Sequence, residues 1–123
     1  MARILVIDDD VNVRELLRQV LEGEKHAVWE AADGRHAMRL VEESQFDLII
    51  TDILMPERDG IEVIRQVSQR NPHAKIIALS GGGAYLGLDV LNTAKDFGAV
   101  EAIAKPFDVN TLLHLVKTVL PST

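Results

Sequence analysis

Apolar residues in this chain follow two rhythms, and the rhythms alternate. Ile4, Leu5, Val6 and Ile7 form an unbroken apolar run, as expected of a strand covered on both faces. Val13, Leu16, Leu17, Val20 and Leu21 follow at helical spacing, and Gly23 sits where that helix should end. Residues 27–31 read as a weaker strand at a sheet edge. Asp33 and Gly34 then open a helix carrying Ala37, Leu40 and Val41. Leu48, Ile49 and Ile50 are a third strand. Asp59 and Glu62 make a capping-box-like start for a helix with Ile61, Ile64 and Val67 inward, broken by Asn71 and Pro72. Residues 76–79 are a fourth strand, residues 86–97 a helix closed by Gly98, and residues 102–104 a short fifth strand. Asp108 caps a last helix with Val109, Leu112, Leu113, Val116, Val119 and Leu120 inward, stopped by Pro121.

Five strands alternating with five helices predict a parallel sheet with helices on both faces. Right-handed crossovers then favour the strand order 2-1-3-4-5, a doubly wound, flavodoxin-like α/β domain. In that order the ligand crevice lies at the carboxyl ends of strands 1 and 3. The length, 123 residues, fits a single domain over 1–123, and a 47% hydrophobic content supplies its core. A net charge of -6 argues against a basic nucleic-acid face. The absence of cysteine excludes disulfides and thiolate chemistry. With no apolar run long enough to span a bilayer and no signal-like start, the expected location is cytoplasmic.

Four chemical features fall at predicted strand carboxyl ends. These are the acids Asp8, Asp9 and Asp10 after strand 1, Asp52 after strand 3, Ser80 after strand 4 and Lys105 after strand 5. Taken singly, each has a plain structural reading. An aspartate before a helix is usually an N-cap, which is the expectation for Asp10. Asp52 reads equally as a loop acid, Ser80 as a turn residue and Lys105 as a surface lysine. Together they suit phosphoryl transfer, in which positioning and charge stabilisation do most of the catalysis. Crowded carboxylates repel unless a cation intervenes, and an all-oxygen set suits Mg²⁺. The four histidines, His26, His36, His73 and His114, lack ligand spacing and read as surface residues.

The runs ILVIDDD, DLIITDILMPERDG, IIALSG and AIAKPF, in this order and spacing, resemble the successive signatures of two-component receiver domains over nearly the whole chain. The resemblance implies a signalling domain, not a turnover enzyme, that accepts a phosphoryl group on Asp52. It assigns Asp9 as direct Mg²⁺ ligand together with Asp52, Asp8 as the companion acid acting mostly through water, and the Leu54 carbonyl as a third protein ligand. Ser80 is implied as the hydroxyl that binds the phosphoryl group, and Lys105 as its cationic partner. Lys105-Pro106 matches the family's cis peptide and Gly60 its turn glycine. The implied partners are a sensor histidine kinase or phosphotransfer protein, a downstream effector or output domain, and a second copy in a phosphorylation-dependent homodimer. Contact with nucleic acid or membrane is not implied. Leu54 and Gly82, at the positions that set hydrolysis in the family, offer no group to orient water and imply a long-lived phospho-Asp52. The sequence departs from the family at Ala102, where an aromatic is usual. A switch carried by the loop at Gly81, Gly82 and Gly83 is the consequent expectation. Two rivals leave features unexplained or absent. A haloacid-dehalogenase-type phosphatase finds a partial motif in Asp8 and Asp10 but gives Asp52 no role. A flavin or dinucleotide carrier lacks the glycine fingerprint after strand 1. A third, a non-signalling interaction module, is opposed by the complete set of site residues and supported by the departure at Ala102.

Overall fold

The computed structural model describes residues 2–53, 60–80 and 98–120. Five parallel strands, β1 (Arg3–Ile7), β2 (Ala27–Ala31), β3 (Leu48–Asp52), β4 (Lys75–Ser80) and β5 (Glu101–Ala104), form one sheet in the order β2-β1-β3-β4-β5. Four helices are described: α1 (Val11–Gly23), α2 (Gly34–Glu43), α3 (Gly60–Arg70) and α4 (Val109–Val119). The expected helix over 86–97 and the Asp59 cap lie outside the described residues.

The apolar strands divide their side chains between two layers, as strict pleat alternation requires. Leu5, Ile7, Ile49 and Ile76 pack with Ala37 and Val41 of α2 and Val63, Ile64 and Val67 of α3. Ile4, Val6, Leu48, Ile50, Ile77 and Leu79 pack with Leu17 and Leu21 of α1 and Leu112 and Val116 of α4. Leu16, at helical spacing with these, is 39% exposed, because it falls off the α1 stripe that meets the sheet. The inward set expected of α4 is graded. Leu112 and Val116 are buried, Leu113, Val119 and Leu120 flank the core half-buried, and Val109 is half-buried outside it.

Capping follows the sequence closely. Asp10 accepts from the Asn12 amide at 2.9 Å, Asp33 from the His36 amide at 2.8 Å, and Asp108 from the Thr111 amide at 3.0 Å. The end of α1 is different from its sequence reading. Gly23 is the last helical residue, but the left-handed conformation falls on Lys25, with φ 70°. The His26 amide donates to the Leu21 carbonyl at 3.1 Å and the Lys25 amide to the Glu22 carbonyl at 2.9 Å. These are the two bonds of a Schellman ending, with lysine where glycine is usual. His26 also departs from the surface reading. It is half-buried, its Nδ1 accepts from the Ala2 amide at 3.1 Å, and burial pulls its pKa down. His36, His73 and His114 are exposed as expected.

Candidate functional site: an acidic crevice at the strand ends

The register brings the chemistry to one place. Val6 and Ile50 are partners across β1 and β3, and both face the α1–α4 layer. Asp8 and Asp52 lie two residues beyond each and so keep that side. Ile103 of β5 packs in the same layer, and Lys105 lies two residues beyond it. One pleat parity thus delivers two carboxylates and an ammonium to the carboxyl end of the sheet.

Their contacts are direct. Lys105 Nζ donates to Asp8 Oδ2 at 2.6 Å and to Asp52 Oδ2 at 3.2 Å. Carboxylate oxygens of Asp8, Asp9 and Asp52 lie within 4.8 Å of one another. Asp8 is fully buried and Asp52 nearly so, at 0% and 4% exposure, whereas Asp9 is exposed. Asp8 is held on every side. Its amide donates to the Ala31 carbonyl at 3.1 Å, and its Oδ1 accepts from the Asp10 amide at 2.9 Å. Its own carbonyl accepts from Arg14 at 2.7 Å.

The electrostatics follow from that geometry. Burial raises the Asp8 pKa, and the neighbouring Asp52 charge adds to the rise. Hydrogen bonds from Lys105 and the Asp10 amide oppose it without cancelling it. Burial works against the Lys105 charge, but the Asp8 hydrogen bond and the Asp52 and Asp8 charges outweigh it, so its pKa is raised. The ammonium is therefore fixed as a cation between two acids.

Ser80 ends β4 beside Ala104, which puts its backbone at the same sheet edge. Leu54 and the glycines at 81, 82 and 83 lie outside the described residues. The Lys105-Pro106 peptide is cis, as the resemblance implied. Ala102 is half-buried in β5 opposite Ala78. Two contacts were absent from the sequence reading. One is the direct Lys105–Asp8 bond, since the resemblance implies convergence of the two and a phosphoryl partner for Lys105 but no such pair. The other is Arg14 with Glu30, whose ion pair closes at 3.1 Å. An arginine on the α1 face toward β2 and a lone acid inside an edge strand were the available signals.

The fold and crevice define a doubly wound domain with a lysine-bridged acid pocket at its switch point. The response regulator receiver domain model matches residues 4–117, and the chain belongs to that family. Its role is that of a phospho-accepting receiver in two-component signalling. It is 33% identical over 119 residues to sporulation initiation phosphotransferase F of Bacillus subtilis, covering 97% of this chain and 94% of that one. It is 38% identical over 120 residues to the transcriptional regulatory protein ResD of the same organism, covering 96% of this chain but 48% of ResD. Among solved structures, chemotaxis protein CheY4 of Vibrio cholerae superposes with a TM-score of 0.88 at 30% identity, covering 98% of this chain and 99% of that one. The response regulator TrrA of Thermotoga maritima, in complex with Mg²⁺-BeF, superposes at 0.84 with 34% identity, covering 98% and 100%.

Proposed function

We propose that Asp52 is the phospho-acceptor of this receiver domain, that Asp8 and Asp9 with Asp52 hold a Mg²⁺ ion, and that Lys105 steadies the transferred group. The observation that carries the reading is the ammonium of Lys105 within hydrogen-bond reach of both Asp8 and Asp52, beside a third carboxylate. The donor set fits a hard divalent cation. It is all oxygen, without His or Cys, and its members converge within 4.8 Å. When bound, Mg²⁺ would neutralise charge on the phosphoryl oxygens.

The chain's own residues account for the rest. A carboxylate is already a nucleophile at neutral pH and needs no general base. An Asp52 oxygen forms the new bond to phosphorus while the bond to the donor's nitrogen or acyl oxygen breaks, and the electron pair leaves with the donor. Lys105, raised in pKa and so charged throughout, is positioned to shift from Asp8 toward the new phosphoryl oxygens. Asp8 is already occupied by Lys105 and the Asp10 amide, which suits a companion acid. Asp9 is exposed, which suits the direct ligand. The Leu54 carbonyl and the Ser80 hydroxyl are proposed from the sequence match alone, as ligand and as phosphoryl-binding group.

The donor is proposed to be a phosphohistidine on a sensor kinase or a phosphotransfer protein. The output is an effector or attached domain that reads the phosphorylated face, and pairing of two phosphorylated copies is a further proposal. Among the described residues no helix is long and apolar enough to cross a membrane. A cytoplasmic home and a single domain over 1–123 are part of the same proposal. Intact-mass measurement with an acyl-phosphate donor and Mg²⁺ tests the core of it. One phosphoryl adduct is expected, lost with chelator and lost in Asp52→Asn. An adduct that persists in Asp52→Asn overturns the assignment.

A further inference from the structure

The spacing of Arg14 and Arg18 places both guanidiniums on one face of α1, one turn apart. That face looks at β2, where Glu30 pairs in register with Val6 of β1. Glu30 uses both of its carboxylate oxygens. Oε1 accepts from Arg14 Nε at 3.1 Å, and Oε2 from Arg18 at 2.7 Å. Arg18 is itself tied to Glu22 at 3.3 Å. An ion-pair chain therefore runs along α1 and across to the sheet edge.

A strut between helix and strand would need nothing more than those pairs. Arg14 does more. Its side chain is only 16% exposed, and its second nitrogen donates to the Asp8 carbonyl at 2.7 Å. That carbonyl belongs to the peptide joining Asp8 to Asp9. The neighbouring residue of β2, Ala31, takes the Asp8 amide through its carbonyl. Both polar ends of Asp8 are thus referred to β2, one directly and one through Arg14 and Glu30. A charge-assisted bond from a planar fork fixes orientation as well as distance.

We propose that Arg14, braced by Glu30, is a positioning residue that sets the Asp8–Asp9 peptide so that the two carboxylates present a cation site before any cation arrives. It rests on the reading of the crevice as a Mg²⁺ site. Groups that orient ligands from behind typically govern metal affinity by about 10–100-fold.

The test is a calorimetric Mg²⁺ titration of the whole chain, paired with thermal midpoints and amide exchange of residues 8–10 in metal-free protein. Arg14→Ala is expected to weaken Mg²⁺ binding about tenfold or more and to speed exchange at residues 8–10. Arg14→Lys keeps a cation beside Glu30 but lacks the fork. It is expected to recover most of the thermal midpoint while binding Mg²⁺ several-fold more weakly than the parent, about half a decade or more. It also serves if Arg14→Ala fails to fold. Arg70→Ala, which breaks the remote pair with Glu42 across α3 and α2, controls for loss of an ion pair and should leave affinity unchanged. Arg14 variants that lose thermal stability but bind Mg²⁺ as the parent does would reduce Arg14 to a strut and overturn the proposal. A parent that binds no Mg²⁺, or an adduct indifferent to Asp52→Asn, would instead sink the underlying reading.

Discussion

At the carboxyl end of the strands, Asp8 is buried against Asp52 and its pKa is raised. At the amino end, Lys25 holds a left-handed backbone at the α1–β2 turn, and Gly98 holds φ 134° before β5. Both ends contain conformations or charges that a relaxed polypeptide would avoid. They differ in what surrounds them. Asp8 donates from its amide and accepts at its carbonyl and both carboxylate oxygens, so the buried carboxyl is tightly held. Lys25 is exposed and holds its angle only to complete a helix ending. A carboxyl with a raised pKa, retained inside a dense bonding network, points to chemistry, and a left-handed backbone at an exposed turn points to geometry alone.

The comparison is open to attack at both ends. The largest effect is expected in the crevice. Asp9→Ala should weaken Mg²⁺ binding by more than about 100-fold and Asp8→Ala by about 10–100-fold, since a direct ligand loses more than a companion. A metal titration of both variants checks the ranking, and the reverse order would exchange their roles.

Next in size is Gly98→Ala at the amino end. An added Cβ would lie 2.9 Å from Ser68 Oγ, on a backbone at φ 134°. Strain and contact together should cost about 2–3 kcal/mol in urea unfolding, with Mg²⁺ affinity unchanged.

Asp8→Asn should have the opposite sign. The folded pKa of Asp8 is above its ordinary value of 3.8. Its contribution to stability is therefore fully present below pH 3.8 and lost as pH rises through the raised value. Neutralising it should stabilise metal-free protein at pH 7, by on the order of 1 kcal/mol, and remove much of the stabilisation by Mg²⁺. Lys105 stays paired with Asp52, so no cation is stranded. Unfolding midpoints measured from pH 4 upward should show the gap between variant and parent widening with pH. Lys105, also raised, contributes stability that is complete below its ordinary value of 10.5 and lost as pH climbs through the folded one.

The smallest effect is Lys25→Gly, expected to stabilise by about 1 kcal/mol because glycine adopts φ 70° without steric cost. Thermal denaturation checks it. No gain would mean that the Lys25 side chain offsets its own strain.

Much of this was readable beforehand because it depends on period and order. Runs such as Ile4 to Ile7 and the caps Asp10, Asp33 and Asp108 are local signals, and strand order follows from handedness. The convergence of Asp8, Asp52 and Lys105 followed from topology. What escaped depends on side-chain reach across elements. Nothing in the sequence says that Lys105 would close on Asp8 at 2.6 Å, or that Arg14 would reach past Glu30 to a backbone carbonyl. Lys25 escaped because Gly23, two residues earlier, is the stronger statistical candidate for a helix end.

The shared pleat parity of Val6 with Asp8, of Ile50 with Asp52 and of Ile103 with Lys105 has a consequence for how such a chain can vary in length. Inserting or deleting one residue within β1 would turn the segment beyond it over. Either Ile4 and Val6 would trade layers with Leu5, or Asp8 would be aimed away from Lys105. The crevice and the core are thus indexed to a single reading frame of the pleat. Length variation is admissible at the turns, where Glu24 and Lys25 lie exposed, and inadmissible between Ile4 and Asp8.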